Sequence, residues 1–407
     1  LLVALSEAGY TTPTPIQTQA IPKVLEDRDM IGIAQTGTGK TAAFTLPILD
    51  ILDDTGTKPA PKQARALILA PTRELALQIA ETVEKFARPF GLSHTVVFGG
   101  VGHGNQIKAL ARGVDVLVAC PGRLLDLMTS KHVRLDKIEH LVIDEADRMF
   151  DMGFMRDVKK IVAATPAATR QTLLFSATMP DEVAKHGASV LRDPVRVEVT
   201  PEVVTVEKID LTIFSVPSAS KRLLLLGLLK DPAWSRVAVF TRTKHGANRL
   251  AEQLTKAGIV ADAIHGNKSQ NARQRALDGF KDGSVRVLVA TDIAARGIDV
   301  DDVTHVVNFD MPVEPEAYVH RIGRTARAGR SGVAVSFYDP ANERDQLRAI
   351  EKVTRLKFEL KPVEVEGADA PEPRSNWRPE ADRRGPPRHQ GGGRGQGGRG
   401  QRGRRAA

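Results

Sequence analysis

Eight consecutive residues, Ala34-Gln35-Thr36-Gly37-Thr38-Gly39-Lys40-Thr41, combine the groups that a phosphate chain needs. Glycines let successive backbone N–H groups turn toward one anion, and a helix starting behind them adds its positive end. Lys40 supplies a charge for the outer phosphates and Thr41 a hydroxyl for Mg²⁺. The usual pattern opens on Gly where Ala34 stands, a departure of one methyl group. Taken alone, these residues would also serve a Gly-rich turn from strand to helix. A second set narrows the choice. The apolar run Leu141-Val142-Ile143 delivers Asp144-Glu145-Ala146-Asp147 at its end, where open α/β sheets place their ligands. Asp144 can hold Mg²⁺ through water there, and Glu145 can orient or deprotonate an attacking water. An acidic helix start after a strand is common by itself, but here it shares half a chain with a phosphate loop. Near the start, Pro13-Thr14-Pro15-Ile16-Gln17 reads as a turn before a helix, and the Gln17 amide offers the donor and acceptor that match the N6/N7 edge of adenine.

These groups need rigid elements behind them. Short aliphatic runs recur ahead of helical patterns at residues 66–70, 114–119, 141–143 and 172–175, and again at 237–240, 285–290, 305–309 and 333–337. Runs of four to six apolar residues without polar alternation are what parallel strands covered on both faces look like, and the stretches between them are long enough for crossover helices. The expected class is α/β, twice over. Residues 193–220 carry Pro194, Pro201 and Pro217 without a clear helical pattern, so a connection between two domains is expected near residue 204.

Composition sets the outer bounds. A chain of 407 residues with 58 Lys and Arg against 49 Asp and Glu is too long for one ordinary core. The single Cys120 excludes an internal disulfide framework and a cysteine-built zinc site, and fits a reducing compartment, so a cytoplasmic protein is expected. The longest apolar run, residues 223–229, is far short of a membrane span. Residues 1–10 lack the basic-then-apolar order of a signal peptide, and no initiator Met opens the sequence. Charge is concentrated at the other end: residues 371–407 hold ten Arg, no Lys and three acids, a net +7 of the chain's +9, with nine Gly and five Pro. With almost no large apolar side chain to offset ordering entropy, this stretch reads as a disordered basic tail.

In type and order these motifs resemble the DEAD-box RNA helicases of helicase superfamily 2, over about residues 9–329. The resemblance rests on Gln17 and its preceding prolines, the loop at 34–41, Pro71-Thr72-Arg73-Glu74-Leu75-Ala76, Gly99-Gly100, Cys120-Pro121-Gly122-Arg123, the acid box, and Ser176-Ala177-Thr178. Further along stand residues 237–240, Gln270-Asn271-Ala272-Arg273, Ala290-Thr291-Asp292 leading to Gly297-Ile298-Asp299, and His320-Arg321-Ile322-Gly323-Arg324-Thr325-Ala326-Arg327.

It implies two tandem RecA-like lobes, at 1–204 and 205–365, with a disordered Arg/Gly-rich RNA-binding tail at 366–407 and ATP and RNA bound across the cleft. It further implies ATP and Mg²⁺ as cofactors. Lys40, Glu145, Arg324 and Arg327 would be catalytic, the two arginines as fingers on the γ-phosphate. Gln17, residues Ala34 to Thr41, Gly297 and Asp299 would hold the nucleotide, and Thr41 and Asp144 the metal. Asp147, Ser176, Thr178, His320 and Arg321 would couple the lobes. Pro71, Thr72, Arg73, Gly99, Gly100, Pro121, Gly122, Arg123, Arg273 and Thr291 would line the RNA track. If residues 318–326 are helical, Arg321, Arg324 and Arg327 fall on one face where several guanidinium groups can meet one anion, although a solvated basic face has the same spacing.

Three departures stand out. Cys120 replaces a usual Thr, Ala326 replaces a frequent Gly, and the aromatic that the family places upstream to pack on adenine would lie before Leu1. The implied activity is ATP-dependent, sequence-independent separation of short RNA duplexes, acting on single-stranded and short duplex RNA. The alternatives are an ATP-gated RNA clamp or an RNA-annealing scaffold with little unwinding. The Arg-Gly tail is similar to that of general bacterial members associated with ribosome-assembly and RNA-decay proteins.

Overall fold

The computed structural model of the chain describes residues 1–35, 37–199, 209–292, 303–325 and 332–363, with the side chain of Glu316 also left aside. Thr36, Gly297, Asp299, Ala326, Arg327, the junction near residue 204 and the basic tail lie outside the described residues.

Fourteen strands are described, in two sheets. The first comprises β1 (Met30–Ile33), β2 (Ala64–Leu69), β3 (His94–Val97), β4 (Val114–Ala119), β5 (His140–Ile143), β6 (Gln171–Ser176) and β7 (Val195–Glu198), in the order β3-β4-β2-β5-β6-β1-β7. The second comprises β8 (Ile209–Ser215), β9 (Val237–Phe240), β10 (Ala261–Ile264), β11 (Val287–Ala290), β12 (His305–Asn308), β13 (Gly332–Tyr338) and β14 (Leu360–Pro362), in the order β10-β11-β9-β12-β13-β8-β14. Every pairing between these strands is parallel.

Burial on both faces explains the continuous apolar runs. Along β2, Ala66 and Ile68 join one buried cluster while Leu67 and Leu69 join another across the sheet. Along β11, Val287 and Val289 face one core and Leu288 and Ala290 the other. Successive strand residues point to opposite faces, so a strand covered twice has no polar side. Fully buried Phe44 and Phe175 meet with ring centroids 5.3 Å apart in one core of the first domain, each contributing about 2 kcal/mol by burial.

The stretch 193–220, within which the connection near residue 204 is expected, also supplies a strand to each sheet: β7 beside β1 and β8 between β13 and β14. β7 is an edge strand of four residues with Arg196 and Glu198 exposed, so it lacks the apolar run that marks the inner strands.

Parallel register places the functional segments together. Ile33 pairs with Ser176, Ile143 with Leu174 and Leu69 with both Ile143 and Ala119, so one rim of the first sheet carries residues 34–35, 37–41, 70–73, 120–123, 144–147 and 176–178. Phe240 pairs with Ala290 and Asn308, and Asn308 with Ser336, so the equivalent rim of the second sheet carries Thr291, Asp292, Asp310 and Asp339. These are the carboxyl ends of the strands, the edge at which open α/β sheets bind ligands.

Candidate active site

The phosphate loop leaves β1 and enters helix Lys40–Thr55. The Ala34 N–H donates to the Ser176 carbonyl at 3.1 Å, tying the loop's start to the end of β6. Gly39 has φ +90°, and a Cβ there would lie 2.5 Å from Gln17 Nε2, so both backbone conformation and space demand glycine. Buried Gln17 braces the same loop: its Nε2 donates to the Gly39 carbonyl at 3.2 Å, while its Oε1 accepts from the Thr14 N–H at 3.0 Å. An amide carries two N–H groups and two lone pairs, so one of each remains for a base edge. Lys40, also buried, donates to the Ala34 carbonyl at 2.7 Å, and Thr38 Oγ1 donates to the Gln35 carbonyl at 2.7 Å. Thr41 follows at the second position of the helix, half-buried.

Asp144, Glu145 and Asp147 emerge from β5, all buried. Asp144 Oδ1 accepts the Glu145 N–H at 2.9 Å. Glu145 has φ +53°, a left-handed conformation that costs a non-glycine residue about 1–2 kcal/mol. Its Oε2 is bound by Arg148 Nη1 at 2.7 Å, both side chains being buried. Asp147 Oδ2 accepts both the N–H and the hydroxyl of Thr178, at 2.9 and 2.8 Å, and the Asp147 N–H donates to Ser176 Oγ at 3.2 Å. Ser176 and Thr178 are thus bonded to the acid box.

The charges differ in how they are met. Burial pushes the Asp144 carboxyl up to about 7, against the pull of Lys40 and helped by the neighbouring Glu145 and Asp147 carboxylates. Burial would raise Asp147 as well, but the two bonds from Thr178 bring it below the ordinary range. A buried acid with so little compensation calls for a cation. The donors at hand, the Asp144 carboxylate and the Thr41 hydroxyl, are hard oxygens that suit Mg²⁺. No cluster of three or more His, Cys, Asp or Glu that could cage a metal occurs among the described residues. The Asp144 and Thr41 oxygens would hold Mg²⁺ with phosphates and water completing its shell.

The residues expected on RNA divide into two groups. Thr72 caps helix Arg73–Ala87 by accepting the Leu75 N–H at 3.3 Å. Gly100 has φ +81°, and a Cβ there would lie 2.2 Å from Arg73 Nη1, so the loop's backbone lies against that guanidinium. Pro121 opens helix Pro121–Thr129, with Gly122 exposed beside it. Arg123 and Arg273 are different: both are buried, and their guanidinium groups have protein partners. Arg123 donates to Gln106 Oε1 at 3.2 Å and to the Val101 carbonyl at 3.0 Å, so it braces the loop that carries Gly99 and Gly100. Arg273 Nη2 pairs with Glu74 Oε2 at 3.0 Å. Thr291 is also buried.

The Arg273 pair belongs to a junction between the two domains. Arg73 Nη1 donates to Gln270 Oε1 and Gln270 Nε2 to Glu74 Oε1, each at 3.3 Å. Two helix starts, Arg73–Ala87 from one domain and Gln270–Asp282 from the other, therefore meet through four polar side chains. Sequence reasoning passed over Glu74, whose place in the first turn of a helix looks like an ordinary dipole contact. Breaking a buried pair leaves one charge uncompensated. We expect Glu74→Arg and Arg273→Glu each to lower RNA-stimulated ATP turnover about tenfold, the equivalent of roughly 1.4 kcal/mol, and the double reversal to recover most of it. Equal losses in single and double variants would remove the junction from the catalytic cycle.

Cys120 stands just ahead of the helix that begins at Pro121, without a side-chain capping bond, and burial, with Glu74 nearby, pushes its thiol up to about 12. It stays protonated and uncharged through the neutral range, the state closest to the Thr it replaces.

In the second domain, helix Pro315–Ile322 ends before Gly323, sooner than the expected 318–326, and Arg324 lies in the following turn with its N–H on the Arg321 carbonyl at 3.1 Å. The expectation that Arg321 and Arg324 converge on one anion therefore changes. Arg321, only 2% exposed, is bound by Asp292 through two contacts of 2.5 and 2.7 Å, by Asn308 Oδ1 at 3.1 Å and by the Asp310 carbonyl at 2.7 Å, and it lies over the Phe240 ring. A buried guanidinium must be paired on all sides, and these partners all belong to its own domain. Arg324 is buried and His320 half-buried on the same segment.

Two family models match the chain: DEAD/DEAH box helicase over residues 14–186 and helicase conserved C-terminal domain over residues 220–329. The DEAD-box ATP-dependent RNA helicase CshA of Bacillus subtilis (strain 168) is 42% identical over 359 residues, which cover 88% of this chain and 71% of that protein. The chain belongs to the DEAD-box ATP-dependent RNA helicases. A second relative, the ATP-dependent RNA helicase CshA of Limosilactobacillus reuteri, is 43% identical over 90% of this chain and 73% of its own length. Among solved structures, S. cerevisiae Dbp5 bound to RNA and ADP BeF3 superposes with a TM-score of 0.78 at 33% identity, covering 90% of this chain and 93% of that one. Mss116p bound to ssRNA and AMP-PNP superposes with a TM-score of 0.79 at 28% identity, covering 89% and 76%. The two seven-stranded domains are the RecA-like lobes of this DEAD-box helicase, an RNA-stimulated ATPase that binds RNA. No helix among the described residues is long and apolar enough to cross a membrane.

Proposed function

We propose that this DEAD-box helicase uses ATP with Mg²⁺ to separate short RNA duplexes locally, without reading sequence, in the bacterial cytoplasm. The observation that carries this reading is the junction of Arg73 and Glu74 with Gln270 and Arg273. It joins the two lobes beside the RNA-facing motifs while the nucleotide motifs stand along the same strand ends. Lys40 neutralises the outer phosphates, Thr41 and Asp144 hold Mg²⁺, and Gln17 reads the adenine edge. Bound Mg²⁺ supplies charge neutralisation for the phosphates. Glu145 orients the attacking water, and Arg324 and Arg327 supply the charge for the transition state from the second lobe. Asp299 and Gly297 contact the nucleotide from that lobe. Ser176 and Thr178, bonded to Asp147, link the acid box to the second lobe, and His320 and Arg321 couple that lobe back to the first-lobe motifs.

On the RNA side, Arg73, Gly99, Gly100 and Gly122 meet the phosphodiester backbone, with Pro71, Thr72, Pro121, Arg123, Arg273 and Thr291 shaping the track. Contacts to phosphate and 2′-hydroxyl position a strand without specifying its sequence. The lobes divide near residue 204, and the segment from residue 366 onward adds a basic arm. Ribosome-assembly or RNA-decay proteins are the partners proposed from the tail's composition.

The deciding experiment measures phosphate release with unrelated RNAs and with DNA of the same sequence. Stimulation by both RNAs and not by DNA is expected; equal stimulation by DNA would overturn the reading. RNA-stimulated hydrolysis without strand displacement would instead identify an ATP-gated clamp.

Removal of residues 371–407 should leave the basal ATPase intact, because no motif lies beyond residue 329, and should weaken RNA binding in a salt-dependent way. Single strands release about 0.7 counterion per neutralised phosphate, so ten Arg bound the change in slope at about 7. Their three acids and the cost of engaging every Arg at once reduce the expected change to about 2–4. Salt titrations of both forms on two unrelated RNAs check this, and unchanged slopes would assign the tail to protein partners.

A further inference from the structure

Glu343 lies outside every motif described above, yet its carboxylate is among the most heavily bonded in the second lobe. It stands just ahead of helix Arg344–Thr354, 2% exposed. Oε1 accepts from the Met311 N–H at 3.1 Å and from Arg242 Nη2 at 3.0 Å, and Oε2 accepts from Lys221 Nζ at 2.8 Å and the Asp339 N–H at 2.9 Å. Lys221 is itself fully buried. Four donors on one desolvated carboxylate fix it on all sides.

One of those bonds leads to the helicase motif at residues 320–327. The peptide unit between Asp310 and Met311 gives its N–H to Glu343 and its carbonyl to Arg321 Nη1, the latter at 2.7 Å. A carboxylate on the N–H side polarises the peptide and makes its carbonyl a stronger acceptor. The bond also fixes the plane of that peptide, and with it the direction in which the carbonyl points. Arg321 in turn accepts the Arg324 N–H on its own carbonyl at 3.1 Å. A short path therefore runs from Glu343 through one peptide and one guanidinium to the backbone of Arg324.

We infer that Glu343 is a positioning residue for ATP hydrolysis, holding the Asp310–Met311 peptide so that Arg321 sets the turn that presents Arg324. The inference rests on the proposed role of the second-lobe arginines and extends it to a residue outside the family motifs. Lys221 provides the contrast. It shares the buried ion pair. Its Nζ also lies 3.9 Å from Asp310 Oδ1, but that is a side-chain contact and Asp310 Oδ2 is held independently by the Arg242 N–H at 2.8 Å. Without Lys221 the Asp310–Met311 peptide keeps its bonds to Glu343 and Arg321, and Glu343 keeps those from Arg242 and Asp339.

The test uses the full chain and compares Glu343→Gln, Lys221→Met, Arg321→Lys and the Glu343→Gln/Arg321→Lys double variant. Saturating RNA is used, with thermal unfolding followed in parallel. Glu343→Gln is expected to lower kcat about tenfold with the KM for ATP within twofold. Lys221→Met is expected to lower the unfolding temperature while keeping kcat within twofold. In the double variant the loss should be close to that of Arg321→Lys alone, because both changes act through one peptide. Additive losses, or equal effects of Glu343→Gln and Lys221→Met on kcat, would make Glu343 a stability residue only and overturn the inference. Should Glu343→Gln fail to fold, Glu343→Asp keeps the charge but draws the carboxylate back from Met311 and is expected to show the same split. Failure of both to fold would also overturn it. If Arg321→Lys leaves turnover intact, the underlying reading of the arginines fails; if only Glu343→Gln does, the inference fails alone.

Discussion

Lys40→Ala is expected to abolish RNA-stimulated ATP hydrolysis. Lys40 is buried at the start of its helix, 2.7 Å from the Ala34 carbonyl, so its ammonium group stands inside the loop rather than in solvent. In phosphoryl transfer the protein contributes mainly position and charge, and the loop lysine carries the charge for the β- and γ-phosphates. The acid box adds a second loss. Lys40 is the main influence holding the Asp144 carboxyl down against burial, and that carboxyl already lies at about 7. Without the lysine it is expected to move higher, so fewer molecules would offer the carboxylate proposed to hold Mg²⁺. Raising the pH should therefore recover some metal-dependent nucleotide binding in the variant, but not turnover. The sign for stability is opposite. A carboxyl whose pKa is raised by folding favours the folded state fully below the unfolded value near 4, and that contribution is lost as the pH rises through about 7. Phosphate release with and without RNA, and nucleotide binding across pH, check both statements; turnover within a few-fold of the parent chain would sink the assignment of the loop.

The strand-end placement of residues 34–35, 37–41 and 144–147 was legible in the sequence because each pattern is local: a short apolar run followed directly by glycines or acids. The inner strands were legible for a related reason: an apolar run such as Val114–Ala119 is buried on both faces and has no polar alternative. β7 and β14 are edge strands with polar or exposed residues, so their runs carry no such signal. Pairings were the harder part. Nothing in Pro71-Thr72-Arg73-Glu74 indicates that Glu74 meets Gln270 and Arg273 about two hundred positions later. Nor does the spacing of Arg321 and Arg324 show that the first is enclosed by Asp292, Asn308 and the Asp310 carbonyl. Periodicity puts side chains on a face, but the partners come from the sheet rim. The helix end illustrates the same limit, since the chain leaves the helical path at Gly323 and places Arg324 on a turn.

That turn is where the second large effect is expected: Arg324→Ala lowers kcat by about 10³ or more, the scale of arginine fingers in phosphoryl transfer. The loss is of the transition-state kind. Gln17, Lys40, Thr41 and Asp144 all belong to the first lobe, so ATP binding by that lobe should change little, and the missing charge matters only when negative charge spreads over the transferred phosphoryl group. Arg321 has four acceptors from its own lobe around its guanidinium, and its carbonyl holds the backbone of the turn on which buried Arg324 stands. A Lys in its place should recover little, because an ammonium is a point charge without the planar fork that meets two phosphate oxygens together. Single-turnover hydrolysis at saturating ATP and RNA isolates the chemical step, and nucleotide binding measured beside it separates affinity from rate. A raised KM with unchanged kcat would show that Arg324 contacts the ground state, and the transition-state charge would then have to come from Arg327, whose replacement is expected to cost as much.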